Sequence, residues 1–293
     1  MIELLISRIW IVDKTGKIMV SCFSSYQDLE NHYRQHSIPI DEPGFYDDSN
    51  FVQFEQKDVR YLETYAAFVA KKEYSDSYLA KARREIPIIV RCMYNELVRD
   101  GRLGACVDIC LVLSRILERE GYWNYIVKGS VNINFPEESK IGKKYFWTFD
   151  DTINTDVGHV WCVAPPFKVI DITIKQQPYR SGESAYLPSF VLGGEVTEDS
   201  ISPDELCSPS FLDKRREMGL ADDQVMATLE DCFSVFKPVL FTYGKTAIKY
   251  ITCGITAPDA DLEDIKCLEL SGRHGIEVYK TVIAPELDRI RQD

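Results

Sequence analysis

Residues 106–120 constrain the fold of this chain more than any other stretch. Val107, Ile109, Cys110, Leu111, Val112 and Leu113 put apolar side chains almost all round two helical turns. Only a helix enclosed by protein carries that pattern. Gly121 stands where a left-handed C′ glycine would end the helix. From Tyr125 the period changes to two. Tyr125, Val127, Gly129, Val131, Ile133 and Phe135 fall on one side, and Lys128, Ser130, Asn132 and Asn134 on the other. That alternation predicts a half-buried strand.

Upstream, residues 3–12 and 17–23 are β-rich around the turn Asp13-Lys14-Thr15-Gly16, which predicts a hairpin. Ser25 can cap a helix over 26–36, and 41–50 reads as loop. Val59, Leu62, Ala66 and Val69 predict a helix over 56–72. Another starts at Asp76 or Ser77, is interrupted by Pro87 and resumes over 88–98. Downstream, 136–157 is an insertion, and strands 158–164 and 168–175 flank Pro165-Pro166 as a hairpin. Residues 181–204 read as loop, 209–236 as helix in two pieces around Gly219, and 239–256 as strand broken at Gly244. Two short strands are expected within 267–282. The fold class is α+β in three regions: 1–78 with hairpin and helices, a core over 79–180, and an α/β extension over 181–293.

Charge excludes some functions. With 34 basic and 46 acidic residues the net charge is −12, which argues against nucleic acid or an anionic membrane as partner. The first eight residues hold an acid and no small-residue cleavage site, so no signal peptide is expected. No uncharged apolar run approaches the ~18 residues of a membrane span. Nine scattered cysteines, an odd number, predict reduced thiols and a cytoplasmic protein.

Three residues in order can carry chemistry: Cys106 opening the central helix, His159 on one strand and Asp171 on the next. A thiol nucleophile, its base and the group that orients the base need this set. His159, Trp161 and Val163 share one strand face, as do Val169, Asp171 and Thr173, so in a hairpin His159 and Asp171 meet on one side. Free N–H groups and the helix dipole favour a thiolate at Cys106, while Asp108 opposes it. The competing set Cys106, Cys110, His159 and Cys162 would bind zinc, but His159 and Cys162 are three apart on a strand and point to opposite faces. No metal or cofactor is therefore expected. Trp161, Trp147 and Tyr145 are the candidate substrate-binding residues, the last two within an insertion that returns directly into Gly158-His159.

Gly104-Ala105-Cys106-Val107-Asp108, Gly121, Gly129, His159-Val160-Trp161 and Val169-Ile170-Asp171-Ile172-Thr173 together resemble the transglutaminase-like superfamily of papain-fold cysteine enzymes. The resemblance covers about a third of the chain, roughly residues 79–177. It implies a papain/transglutaminase-like core with the nucleophile at the N-terminus of a buried helix packed on an antiparallel sheet. It further implies Cys106 as nucleophile, His159 as base and Asp171 as orienting residue, acting on a protein or peptide substrate through a thioester. Ile172 departs from the proline frequent after the family's aspartate, and no upstream side chain matches the family's oxyanion donor. Bacterial members of this kind are often hydrolases, which favours a protease, amidase or deamidase. A protein-glutamine transglutaminase and a non-catalytic binding module are the alternatives.

Overall fold

The computed structural model describes residues 23–150, 158–180, 182–194, 201–233, 236–268 and 271–292. The expected N-terminal hairpin lies outside them, save for Phe23. The protein is α+β, and seven of the described strands join in one antiparallel sheet, with a separate two-stranded hairpin near the C-terminal end.

Helix α1 (Tyr26–Gln35) starts at Ser25 with a capping box. The Ser25 hydroxyl accepts from the Asp28 N–H, and the Asp28 carboxylate accepts from the Ser25 N–H. Helix α2 (Ser49–Glu55) begins within the segment 41–50 expected as loop, and the helix expected over 56–72 is shortened to α3 (Leu62–Lys71). Leu62, Ala66 and Val69 are buried as the spacing required, but Val59 is 62% exposed and falls in the turn between the helices. Helix α4 (Asp76–Asp100) runs through Pro87 without ending. An interior proline costs about 3 kcal/mol through its missing N–H and ring clash. Burial of Ile86, Ile89, Val90 and Met93 around it offsets that cost. Gly101, at φ +79°, ends the helix in the left-handed region and donates to the Leu97 carbonyl. The central helix α5 (Cys106–Arg119) then follows as expected.

Strand β1 (Tyr125–Asn134) is the axis of the sheet. One edge is divided between two partners: β3 (His159–Ala164) pairs with Tyr125–Gly129, and the short β2 (Lys144–Phe146) with Val131–Ile133. Beyond β3 come β4 (Phe167–Asp171) and β5 (Val191–Gly193), the latter inside a segment expected to be loop. The other edge of β1 is filled along its length by β7 (Thr246–Thr256), with β6 (Val239–Tyr243) outside it. The region 181–293 thus contributes β5, β6 and β7 to the main sheet, β7 next to its centre.

The sheet is buried on both faces, so β1 is more deeply buried than its alternation predicts. One core joins α1–α3 to Val127, Val131, Trp161, Val169 and Tyr250. The other joins α4 and α5 to Ile126, Val160, Cys162 and Ile170. Two polar residues of β1 find hydrogen-bond partners within the protein. Ser130 shares a 2.8 Å hydrogen bond with Thr148, and the Asn132 amide donates to the Glu205 carbonyl in α6 (Pro203–Leu206). Two more helices, α7 (Pro209–Glu217) and α8 (Asp222–Phe233), fall either side of Gly219 as expected. After the small hairpin of β8 (Lys266–Leu268) and β9 (Arg273–His274), the chain turns helical through α9 (Gly275–Val278), a π-turn at Tyr279–Ile283 and α10 (Ala284–Gln292). Arg291 of α10 pairs with Glu85 of α4 and, at 2.6 Å, with Glu120. That ion pairing fastens the C-terminal helix to the helical layer.

Gly129 shows why the sheet tolerates no side chain at its centre. A Cβ there would lie 2.0 Å from the Ile251 carbonyl oxygen and 2.9 Å from the Trp161 ring. The β1–β7 register also shifts between Lys128 and Gly129. Gly129→Ala is expected to cost about 3 kcal/mol in urea unfolding, since backbone has to move. A loss under about 1 kcal/mol would mean that the bulge absorbs a methyl group.

Candidate active site

Each candidate residue stands at the end of an element, and the ends converge. Gly104, at φ +69°, donates its N–H to the Gln176 carbonyl at 2.8 Å. That bond ties the turn before Cys106 to the segment just after Asp171. Ala105 occupies the N-cap of α5 and offers no side-chain acceptor, so the first-turn N–H groups stay free of a side-chain cap. Cys106 is the first helical residue and is half-buried. The Asp108 carboxylate lies 2.5 Å from the Arg102 guanidinium, with both side chains partly shielded. Its opposition to a thiolate is thereby reduced.

Gly158, at φ +74°, leads into β3 with its N–H on the Trp147 carbonyl. His159 is the first residue of β3 and Asp171 the last of β4, so the antiparallel pairing brings them to the same end of the sheet. Cys162 pairs with Ile170, which places His159 and Asp171 together on the opposite face as diagonal neighbours. His159 Nε2 donates to Asp171 Oδ2 at 2.8 Å, and both side chains are fully buried. Asp171 Oδ1 accepts from the Thr173 N–H at 2.9 Å and its hydroxyl at 3.1 Å. Oδ2 accepts a further bond from the Tyr250 hydroxyl at 3.0 Å.

The second ring nitrogen of His159, Nδ1, is buried and makes no aligned hydrogen bond. Cys106 lies beside the ring, close enough to act on its proton affinity. Burial is the largest single influence on His159 and disfavours the imidazolium. The Asp171 carboxylate and then Cys106 together outweigh it and raise the pKa to about 10. The raised value favours the cationic ring, set between a carboxylate and a thiol. This arrangement can hold a thiolate–imidazolium pair, and the free N–H groups of the first turn of α5 can receive a developing oxyanion.

No family model, curated protein or solved structure matches this chain.

The thiols of the alternative zinc set are otherwise engaged. Cys110 Sγ donates to the Val160 carbonyl at 3.5 Å, and Cys162 Sγ to the Cys110 carbonyl at 3.6 Å. Burial, then Cys162, pushes the Cys110 thiol well above its ordinary value, so it stays protonated. Among the described residues no group of three or more His, Cys, Asp or Glu side chains is placed to hold a metal ion.

Trp161 is not where a substrate-binding residue would be. It is 1% exposed and packs edge-on against Tyr250, with ring centroids 5.1 Å apart, beneath the site. Its strand face is the His159 face, but that face is core. Tyr145 and Trp147 stack in parallel at 5.3 Å, with the indole N–H on the Asp204 carbonyl. They line a cleft of about 390 Å³ together with Lys143, Lys144 and Arg180. Between them Phe146 turns inward, 5.6 Å from the His159 ring and 6.2 Å from Tyr179. The middle of the insertion therefore borders His159, through Phe146. Residues 151–157 of the insertion lie outside the described residues.

Sequence reasoning missed Tyr250 and the role of Thr173. Thr173 follows Asp171 by two and suits the short side-chain-to-backbone bonds of such a turn. Tyr250 is 79 residues from Asp171, and nothing local marks it.

Proposed function

We propose that the protein is a cysteine-dependent acyl-transfer enzyme acting on peptide or amide bonds, in the manner of the transglutaminase-like enzymes that its motifs resemble. The observation that carries this reading is the fully buried His159–Asp171 pair set beside a cysteine at an uncapped helix N-terminus. Cys106 Sγ attacks the carbonyl carbon, and the π electrons move to oxygen, where the first-turn N–H groups receive the charge. On collapse the C–N bond breaks and the departing amine takes the proton from His159. Water then attacks the thioester, gives a proton to His159 and releases the acid and Cys106. Asp171 holds the ring so that Nδ1 faces the sulfur.

Leu103 and Val107, 55% and 40% exposed, flank Cys106 and offer an apolar footing for the substrate. The stacked Tyr145 and Trp147 supply a second contact surface. The cysteines with described side chains are free, which fits a reducing cytoplasm.

The test is mass spectrometry of a peptide library incubated with the protein and with Cys106→Ala. Hydrolysis adds a water at a cut, deamidation turns an amide into a carboxylate, and cross-linking joins an amine with loss of ammonia. A library unchanged in all three respects, with Cys106 no more reactive to iodoacetamide than Cys253, would sink the proposal.

A further inference from the structure

We propose that Tyr250 is a positioning residue acting through Asp171: its hydroxyl is the second donor on the carboxylate oxygen that binds His159, and it tempers the pull of that carboxylate on the ring. This rests on the triad reading for its consequence in catalysis, but its geometry stands apart from it.

Asp171 Oδ2 carries two donors, His159 Nε2 at 2.8 Å and Tyr250 Oη at 3.0 Å. The other oxygen is held by Thr173, through its backbone and its hydroxyl. Tyr250 is 1% exposed, with its ring edge-on to Trp161. Trp161 in turn lies over Gly129, where no side chain fits. The phenol is thus fixed in place by packing. A phenylalanine would fill the same space without a polar atom to bury. The hydroxyl costs desolvation unless it is bonded, and the bond it makes is to the one carboxylate that orients His159. Burial, with Asp171 adding to it, keeps the phenol protonated far above neutral pH, so it remains a donor.

A donor on a carboxylate stabilises its charge and weakens its attraction for a neighbouring proton. With Tyr250 in place the imidazolium gives up its proton more readily to a departing amine. The other titratable groups around the pair are Cys106 and Cys110 from α5 and Tyr179 from the segment after β4. Tyr179 donates to the Ile174 carbonyl at 2.5 Å and leaves the carboxylate to Tyr250.

The experiment follows His159 by ¹⁵N NMR of histidine-labelled protein against pH; with four histidines in the chain the assignment is tractable. In Tyr250→Phe the orientation survives through Thr173, so the His159 midpoint should move upward, by roughly 0.5 pH or more. In Tyr33→Phe, which also loses a buried hydroxyl but one bonded to Thr64, it should stay where it is. If Tyr250→Phe does not fold, 3-fluorotyrosine at position 250, a stronger donor of nearly the same size, should move the midpoint downward. An unmoved midpoint in the variant that folds, or an equal shift in Tyr33→Phe, overturns the proposal. Iodoacetamide labelling of wild-type Cys106 is the separate arm. An unreactive Cys106 would refute the triad while leaving the Tyr250 result intact.

Discussion

Cys106→Ala is expected to stay folded and lose thiol-dependent turnover by about 10⁴-fold or more. The side chain is half-buried at the first position of α5, and alanine is a better helix former than cysteine, so the helix itself is not weakened. Cys110→Ala is the control one turn further on. Cys110 is buried and bonded to a backbone carbonyl, so its loss should cost about 1 kcal/mol of stability and leave turnover within a few fold. Amide hydrolysis on a responsive peptide, read beside urea unfolding, separates the two effects. Equal loss of turnover from both variants would remove Cys106 from its special role.

Asp171→Asn should lower kcat by about 10³–10⁴ with the fold retained. The carboxylate accepts four hydrogen bonds, and an amide has only one accepting atom, so a donor is left facing a donor. The pH dependence follows from the same change. In the wild type the folded-state pKa of His159 is raised to about 10 against burial, chiefly by Asp171. Its imidazolium stabilises the fold fully below the ordinary value of 6.5, and that contribution fades as the pH rises towards 10. Activity that needs the imidazolium should fall along an alkaline limb near pH 10. In Asp171→Asn burial prevails, and the limb should drop to neutral pH or below. The gap in melting temperature between wild type and variant should narrow through the same window. A variant with the wild-type limb would exclude Asp171 from setting the charge of His159.

The parts of the site that were legible in the sequence are those written in local periodicity. Apolar residues all round the first turns of α5, the glycine at 121 and the two alternating strands about Pro165-Pro166 fix where Cys106, His159 and Asp171 stand along their elements. Period two alone puts His159 and Asp171 on one face, and the 2.8 Å bond follows that parity. Parity does not say whether a face is covered, however. Trp161 shares the His159 face and is core, because the Tyr250 ring packs against it and the N-terminal helices share that core. Nor does local pattern reveal a partner from far along the chain. The residues around Tyr250 read as an ordinary strand, and only the pairing of β7 with β1 brings its hydroxyl to Asp171. Pro87 misled for a related reason: its local cost is real, but the burial of its neighbours decides the helix.

The place of β7 also bears on when the surroundings of Asp171 are completed. The hairpin of His159 and Asp171 and the helix of Cys106 are synthesised well before residues 246–256. Until that strand arrives, β1 has one unfilled edge and the Asp171 carboxylate lacks its phenol donor. Pairings this distant in sequence form late, after the local hairpins. The nascent chain therefore carries Cys106, His159 and Asp171 without the full set of donors on that carboxylate until residues 246–256 are made, and the order of synthesis sets when those bonds can close.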